Sequence, residues 1–137
     1  MAMTTKPINV AMVKKLLEGY KILDRLIDCH RKILAQSESY AAQCSDDFRQ
    51  QIIKPFQKEI QKLIHNDQQC KENIIKLLEY ADSDFDRDLL RMRYIEDQSY
   101  YDIAYTIGYS EGHTMRLYRD ALIRLTENAA DLPPFRY

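Results

Sequence analysis

The stretch SYYDIAYTIGYSEGHTMRLYRDAL, Ser99 to Leu122, holds two of the chain's three glycines, and its reading decides the fold. Ser99 stands three residues before Asp102, close to the capping-box pattern in which a hydroxyl and an acid satisfy free N–H groups in a first helical turn. Ile103, Ala104 and Ile107 then supply one buried side for a short helix. Gly108 can take the left-handed conformation that ends such a helix, because it has no Cβ to clash there. Ser110 can cap the next helix, with Glu111 in its electropositive first turn. Short helix, glycine turn and capped helix together predict a helix-turn-helix.

The helix after the turn is expected from Glu111 to Thr126. Leu117, Ala121 and Leu125 recur one turn apart on one side, with Thr114 extending the row, and Ala121 is small where helices cross closely. His113, Arg116 and Arg119 fall at steps of three on the other side, beside Gly112 and Met115. They have no inward role, so they face whatever the helix touches. Tyr100 and Tyr101 occupy the first turn of the preceding helix, one free to pack inward and the other to donate outward. Upstream, Asp82-Ser83-Asp84 can cap a helix whose apolar face is Leu89, Leu90, Met92, Tyr94 and Ile95. Arg93 is placed to pair with Asp102 and fasten that helix to the next. A domain boundary is expected at Asp82 to Asp86.

Further out, from Ile8 to Ser37, apolar positions recur at Val13, Leu16, Tyr20, Leu23, Ile27, His30 and Leu34. The alternating steps of three and four are a seven-residue repeat, broadened by Leu17, Ile22 and Leu26. Pro7 suits the first turn of this helix and Ser37-Glu38-Ser39 its end. A second repeat runs Ile53, Phe56, Ile60, Leu63, Asp67, Cys70, Ile74, Leu77 and Ala81, behind a Ser45-Asp46-Asp47 cap. Pro55 predicts a kink or restart near Lys54. The polar run Asn66-Asp67-Gln68-Gln69 predicts a second interruption. Two striped helices joined by a short polar loop fold back on each other most simply, the remaining stripe pairing with a second chain. The fold class is therefore all-α: a long, coiled-coil-like helical hairpin for oligomerisation over residues 1–81, then a small helix-turn-helix domain with a short C-terminal tail over residues 82–137.

Composition narrows the function classes. With 45% hydrophobic and 30% charged residues and only three Gly and four Pro, the chain is a helix-favouring globular mixture rather than a disordered one. No apolar run approaches the roughly 18 to 20 residues that cross a bilayer, and the N-terminus lacks a signal peptide's apolar core, so a cytoplasmic protein is expected. Cys29, Cys44 and Cys70 are odd in number and far apart, as reduced thiols are. The spacings Cys29-His30 and His65-x4-Cys70 match no common zinc site. Asp82, Asp84, Asp86 and Asp88 alternate but lack the glycine and terminal Glu of a calcium loop, and read as capping and a solvated face. There is no phosphate-binding loop, nucleophile elbow or HExxH. No enzyme activity, metal or cofactor is expected. Charge is uneven: residues 1–80 hold 13 Lys and Arg against 10 acids, residues 81–137 hold 7 Arg against 11, and every lysine lies at or before Lys76.

The run LLRMRYIEDQSYYDIAYTIGYSEGHTMRLYRDALIRL, Leu89 to Leu125, resembles the region 4 helix-turn-helix of primary sigma factors. It resembles more closely the C-terminal segment of RinA- and ArpU-type phage late transcription regulators. The resemblance rests on Leu90, Arg93-Tyr94, Ser99, Asp102-Ile103-Ala104, Ile107-Gly108, Ser110, Leu117, Ala121 and Leu125. It departs at Thr114, where sigma-like sequences usually carry Val, and at Asp120, where they usually carry a basic residue. These families read DNA with the third helix. The resemblance therefore implies DNA contacts from Tyr109, Ser110, Glu111, Gly112, His113, Met115, Arg116 and Arg119, with Ser99, Tyr100 and Tyr101 at the phosphate backbone.

The expected function is a phage- or prophage-borne, DNA-binding transcription regulator acting on double-stranded DNA as a homodimer or higher homo-oligomer. Arginine can read guanine bidentately with few charges present, and the six tyrosines from Tyr94 to Tyr118 can donate to phosphates. Two readings compete with it. A helical adaptor would use the same unit to bind RNA polymerase or another protein, for which the acidic balance of residues 81–137 is an asset. A small DNA-packaging subunit would array such units in a ring.

Overall fold

The computed structural model describes residues 9–130; Pro7, Ile8 and the expected tail after Ala130 lie outside the described residues. The described chain is all-α. Its elements are α1 (Val10–Ala41), α2 (Asp46–Phe48), a π-helical turn (Arg49–Ile53), α3 (Lys54–Leu78), α4 (Asp84–Tyr94), α5 (Tyr100–Ile107) and α6 (Glu111–Ala129). Among the described residues no helix is long and apolar enough to cross a membrane. The chain forms two compact units, one of Ile22–Glu72 and the other, as far as described, of residues 9–21 with 73–130.

Within residues 22–72, α1 and α3 are joined by polar pairs whose numbers rise on one helix as they fall on the other. Asp24 meets Lys71, His30 Nδ1 lies 3.7 Å from Asp67, and Gln57 donates to the Ser37 hydroxyl at 3.0 Å. The two segments therefore run in opposite directions. Ile27, Ile53 and Ile60 are the buried apolar residues of this unit. At the reversal, Arg49 acts as a clamp: its guanidinium donates to the Ala41 carbonyl at 2.8 Å and to that of Cys44 at 2.7 Å, and pairs with Asp46 at 2.6 Å. A cation on the last carbonyls of a helix offsets its negative end.

Several sequence expectations need correction here. The helix expected to end at Ser37 continues to Ala41, with the Ser37 hydroxyl donating back to the Leu34 carbonyl at 2.7 Å. The Ser45 cap forms, accepting from the Phe48 N–H at 3.2 Å. Near Pro55 the expected restart is found: α3 begins at Lys54, directly after the π-helical turn and with no gap in the helix. A π turn precedes it, with the Lys54 N–H reaching back to the Arg49 carbonyl, and this wider turn makes room at the carbonyl that proline crowds. The break expected at Asn66 to Gln69 does not occur, since α3 runs unbroken through it with Asp67 turned toward His30. The stripe also shifts: Phe56, Leu63 and Cys70 are exposed, while Gln57, Ile64 and Lys71 take the half-buried places. On α1, Leu17 is fully buried and Leu16 is exposed.

In the other unit, one apolar core joins both ends of the described chain. Val13 and Leu17 of α1 and Leu77 and Leu78 of α3 pack with Leu89, Leu90 and Tyr94 of α4, Ile103 of α5, and Tyr118, Ala121, Leu122, Leu125 and Ala129 of α6. Ser83 caps α4, accepting from the Asp86 N–H at 3.1 Å. Asp86 is not on a solvated face. It is 3% exposed and takes a two-point bond from Arg124, at 2.8 Å and 3.0 Å, which ties α4 to α6. Lys21 of α1 pairs at 2.7 Å with Asp97, a residue held at φ +57° in the α4–α5 connection.

Candidate functional site

The short helix α5 begins where Ser99 accepts the Asp102 N–H at 3.1 Å. It ends at Gly108, whose φ of +79° and ψ of +25° are the left-handed conformation. There the N–H groups of Gly108 and Tyr109 both return to the Ala104 carbonyl, at 2.9 Å and 3.2 Å. Ser110 then opens α6 by accepting the His113 N–H at 3.1 Å. Thr114 is wholly buried, yet its hydroxyl is satisfied by donating to the Ser110 carbonyl at 2.8 Å. A threonine therefore sits in a packed position without an orphaned polar atom.

The inner face of α6, formed by Thr114, Tyr118, Ala121, Leu122 and Leu125, is buried. The opposite face follows from helical periodicity. Gly112, His113, Met115, Arg116 and Arg119 are all exposed, and Ser110, Glu111 and Tyr109 border them at the N-terminal end. Among the described residues no ion pair within 4 Å engages Arg116 or Arg119; neither Glu111 nor Asp120 neutralises them. The Tyr109 ring stands edge-on to that of His113, with centroids 4.8 Å apart. The positive end of the α6 dipole lies beside these cations.

The tyrosines of α5 divide. Tyr101 is 68% exposed, whereas Tyr100 turns inward with its ring edge-on to Tyr118 at 5.3 Å. Arg93 does not pair with Asp102. Its guanidinium donates to the Gln98 carbonyl at 3.0 Å and lies over the Tyr100 ring at 4.4 Å, a cation–π contact that holds the α4–α5 connection. Of the six tyrosines expected to donate outward, Tyr94 and Tyr118 are buried, and the most exposed is Tyr105, at 85% and one turn beyond Tyr101. Its i, i+4 spacing from Tyr101, opposite the inward Ile103 and Ala104, was the available signal of that exposure.

Behind the face, the rings of Tyr94 and Tyr118 lie tilted by 39° with centroids 5.6 Å apart, and their buried hydroxyls meet no hydrogen-bond partner among the described residues. They border a cavity of about 220 Å³ shared with Lys14, Glu18 and Arg93. Burial pushes the Tyr118 phenol well above its ordinary pKa, with Arg93 opposing and Glu18 reinforcing the shift. The Arg124 guanidinium is raised by its bond to Asp86. The exposed face carries cationic, phenolic and imidazole groups at the end of one helix and along another. Such a surface suits contact with a polar, electron-rich macromolecule. Compared with protein-family models, curated proteins and solved structures, the chain matches none.

Proposed function

We propose that the chain is a DNA-binding transcription regulator of the sigma region 4-like kind, phage- or prophage-borne. In this reading α5, the Gly108 turn and α6 act as a helix-turn-helix, and the antiparallel helices of residues 22–72 pair two copies. The observation that carries it is the outward face of α6, where Arg116 and Arg119 are exposed and not ion-paired among the described residues, flanked by side-chain-free Gly112. A narrow helix end with free guanidinium groups fits the major groove, where arginine binds the guanine edge by two hydrogen bonds. Tyr101, Tyr105 and Tyr109 supply phosphate donors, which lets a region of acidic balance hold DNA with few cations.

A mobility shift with fragments of the protein's own genome, run at several salt concentrations, tests this reading. One site should bind saturably, more weakly as salt rises. Arg116→Ala and Arg119→Ala are each expected to weaken that site by about 1 to 3 kcal/mol. If the double variant kept full affinity, the reading would be wrong. The excess of acids in residues 81–137 favours one second reading, an adaptor that docks the same unit on RNA polymerase or another protein; copurification without DNA would support it.

A further inference from the structure

Residues 22–72 form an antiparallel helix pair whose two broad faces differ in chemistry. On α1 the positions turned toward α3 include Ile27, His30 and Ser37; on α3 they include Ile60 and Asp67. Asp24 and Arg31, seven residues apart, lie to one side of the α1 line, and Gln68 and Lys71 lie to one side of the α3 line. One groove is lined by all four together with Asp28, so these two sides belong to the same face of the pair. The rows on the other sides must then share the opposite face. They are Leu26, Ile33 and Tyr40 on α1 and Phe56, Leu63 and Cys70 on α3, each row in strict steps of seven. Leu26, Tyr40, Phe56 and Leu63 are between 42% and 56% exposed, and Ile22 and Ile52 extend the rows.

We infer that this apolar face is the surface on which a second copy of the chain packs, two helix pairs closing into a four-helix bundle. The inference deepens the paired-copy part of the DNA-binding reading. Three features commit it to a second copy. The face is about 25 Å long and about 20 Å wide from helix rise and diameter. Its footprint of about 500 Å² per copy, before side-chain relief, gives about 1,000 Å² over two copies, the size at which a specific interface begins. The acids beside the rows, Glu59 and Asp67, are met by Lys62 at 3.6 Å and His30 at 3.7 Å, so the face presents no acid that asks for an oppositely charged partner. Its two edges also complement each other. A two-fold axis lying in the interface and parallel to the helices sets the Leu26, Ile33 and Tyr40 row of α1 on the phenylalanine-bearing row of α3 in the other copy, a closed and self-matching arrangement.

Sedimentation equilibrium and light scattering on the full chain, without DNA, test this. A dimer is expected, and Leu26→Glu or Phe56→Glu should weaken it by about tenfold or more, since each would bury a carboxylate in an apolar contact. Gln68→Glu on the opposite face should leave it unchanged. Far-UV circular dichroism accompanies each variant; should a Glu variant lose helix, Leu26→Ala with Phe56→Ala must still weaken association severalfold. A monomer at every concentration, a ring of many copies, or a dimer indifferent to these substitutions would overturn the inference. Arg116→Ala with Arg119→Ala is expected to remain dimeric. A dimer without site-specific DNA binding would therefore sink the regulator reading alone, and a DNA-binding monomer would sink the dimer alone.

Discussion

Asp86 and Arg124 share one bond but not one environment. The carboxylate side chain is 4% exposed and the guanidinium 40%, so the two halves of the pair are unequal when left alone. Arg124→Ala strands a buried carboxylate and is expected to cost about 3 to 5 kcal/mol. Asp86→Asn leaves a cation that water can reach, and should cost about 1 to 2 kcal/mol. Urea unfolding of both variants checks the order; equal losses would contradict it. Tyr118 makes the second argument at this scale. Burial raises its folded pKa above the ordinary value near 10, so the unfolded chain releases the phenol proton first. The stabilising contribution is whole below about pH 10 and declines as pH rises beyond it toward the folded value. Tyr118→Phe removes that decline and, because the buried hydroxyl meets no partner among the described residues, should hold or raise stability at neutral pH, by up to about 1 kcal/mol. Urea midpoints of wild type and variant across the alkaline range supply the test.

Among the elements, the α5–α6 connection separates two glycines with different duties. Gly108 holds φ +79°, and a Cβ there would meet no atom within 4 Å, so Gly108→Ala is expected to cost about 1 to 2 kcal/mol from backbone strain alone. Gly112 lies in the first turn of α6 with open space around it. Gly112→Ala should stabilise the fold by up to about 1 kcal/mol. If α6 enters a groove at this point, the same variant weakens DNA binding despite its greater stability. Melting temperature and mobility shift read the two effects apart, and unchanged affinity would remove Gly112 from the contact surface. The caps of α5 and α6 were legible because they depend on residues three or fewer apart: Ser99 with Asp102, Ser110 with His113. The continuity of α3 was not. Its polar run faces His30 of α1, and a partner across a helix pair leaves no trace in the local sequence.

For the molecule as a whole, the core shared by residues 9–21 and 73–130 governs what can be cut away. Val13, Leu17, Leu77 and Leu78 belong to the same buried core as the apolar residues of α4, α5 and α6. A fragment beginning at Asp82 loses all four from that core, each a side chain whose full burial is worth about 1.5 to 3 kcal/mol. Such a fragment is expected to show weak, non-cooperative unfolding by circular dichroism, while the full chain unfolds in a sharp transition. A stable, cooperative fragment would show that α4, α5 and α6 close a core unaided. Sequence alone determined the helical class, the starts of α4, α5 and α6 and the reversal at Gly108, since each is written in hydrogen bonds and backbone freedom between near neighbours. The tertiary structure alone decided that Leu17 rather than Leu16 is buried, that Asp86 is enclosed, and that Phe56 and Leu63 are left outward. A seven-residue repeat states that a side is apolar, but what covers that side depends on elements tens of residues away.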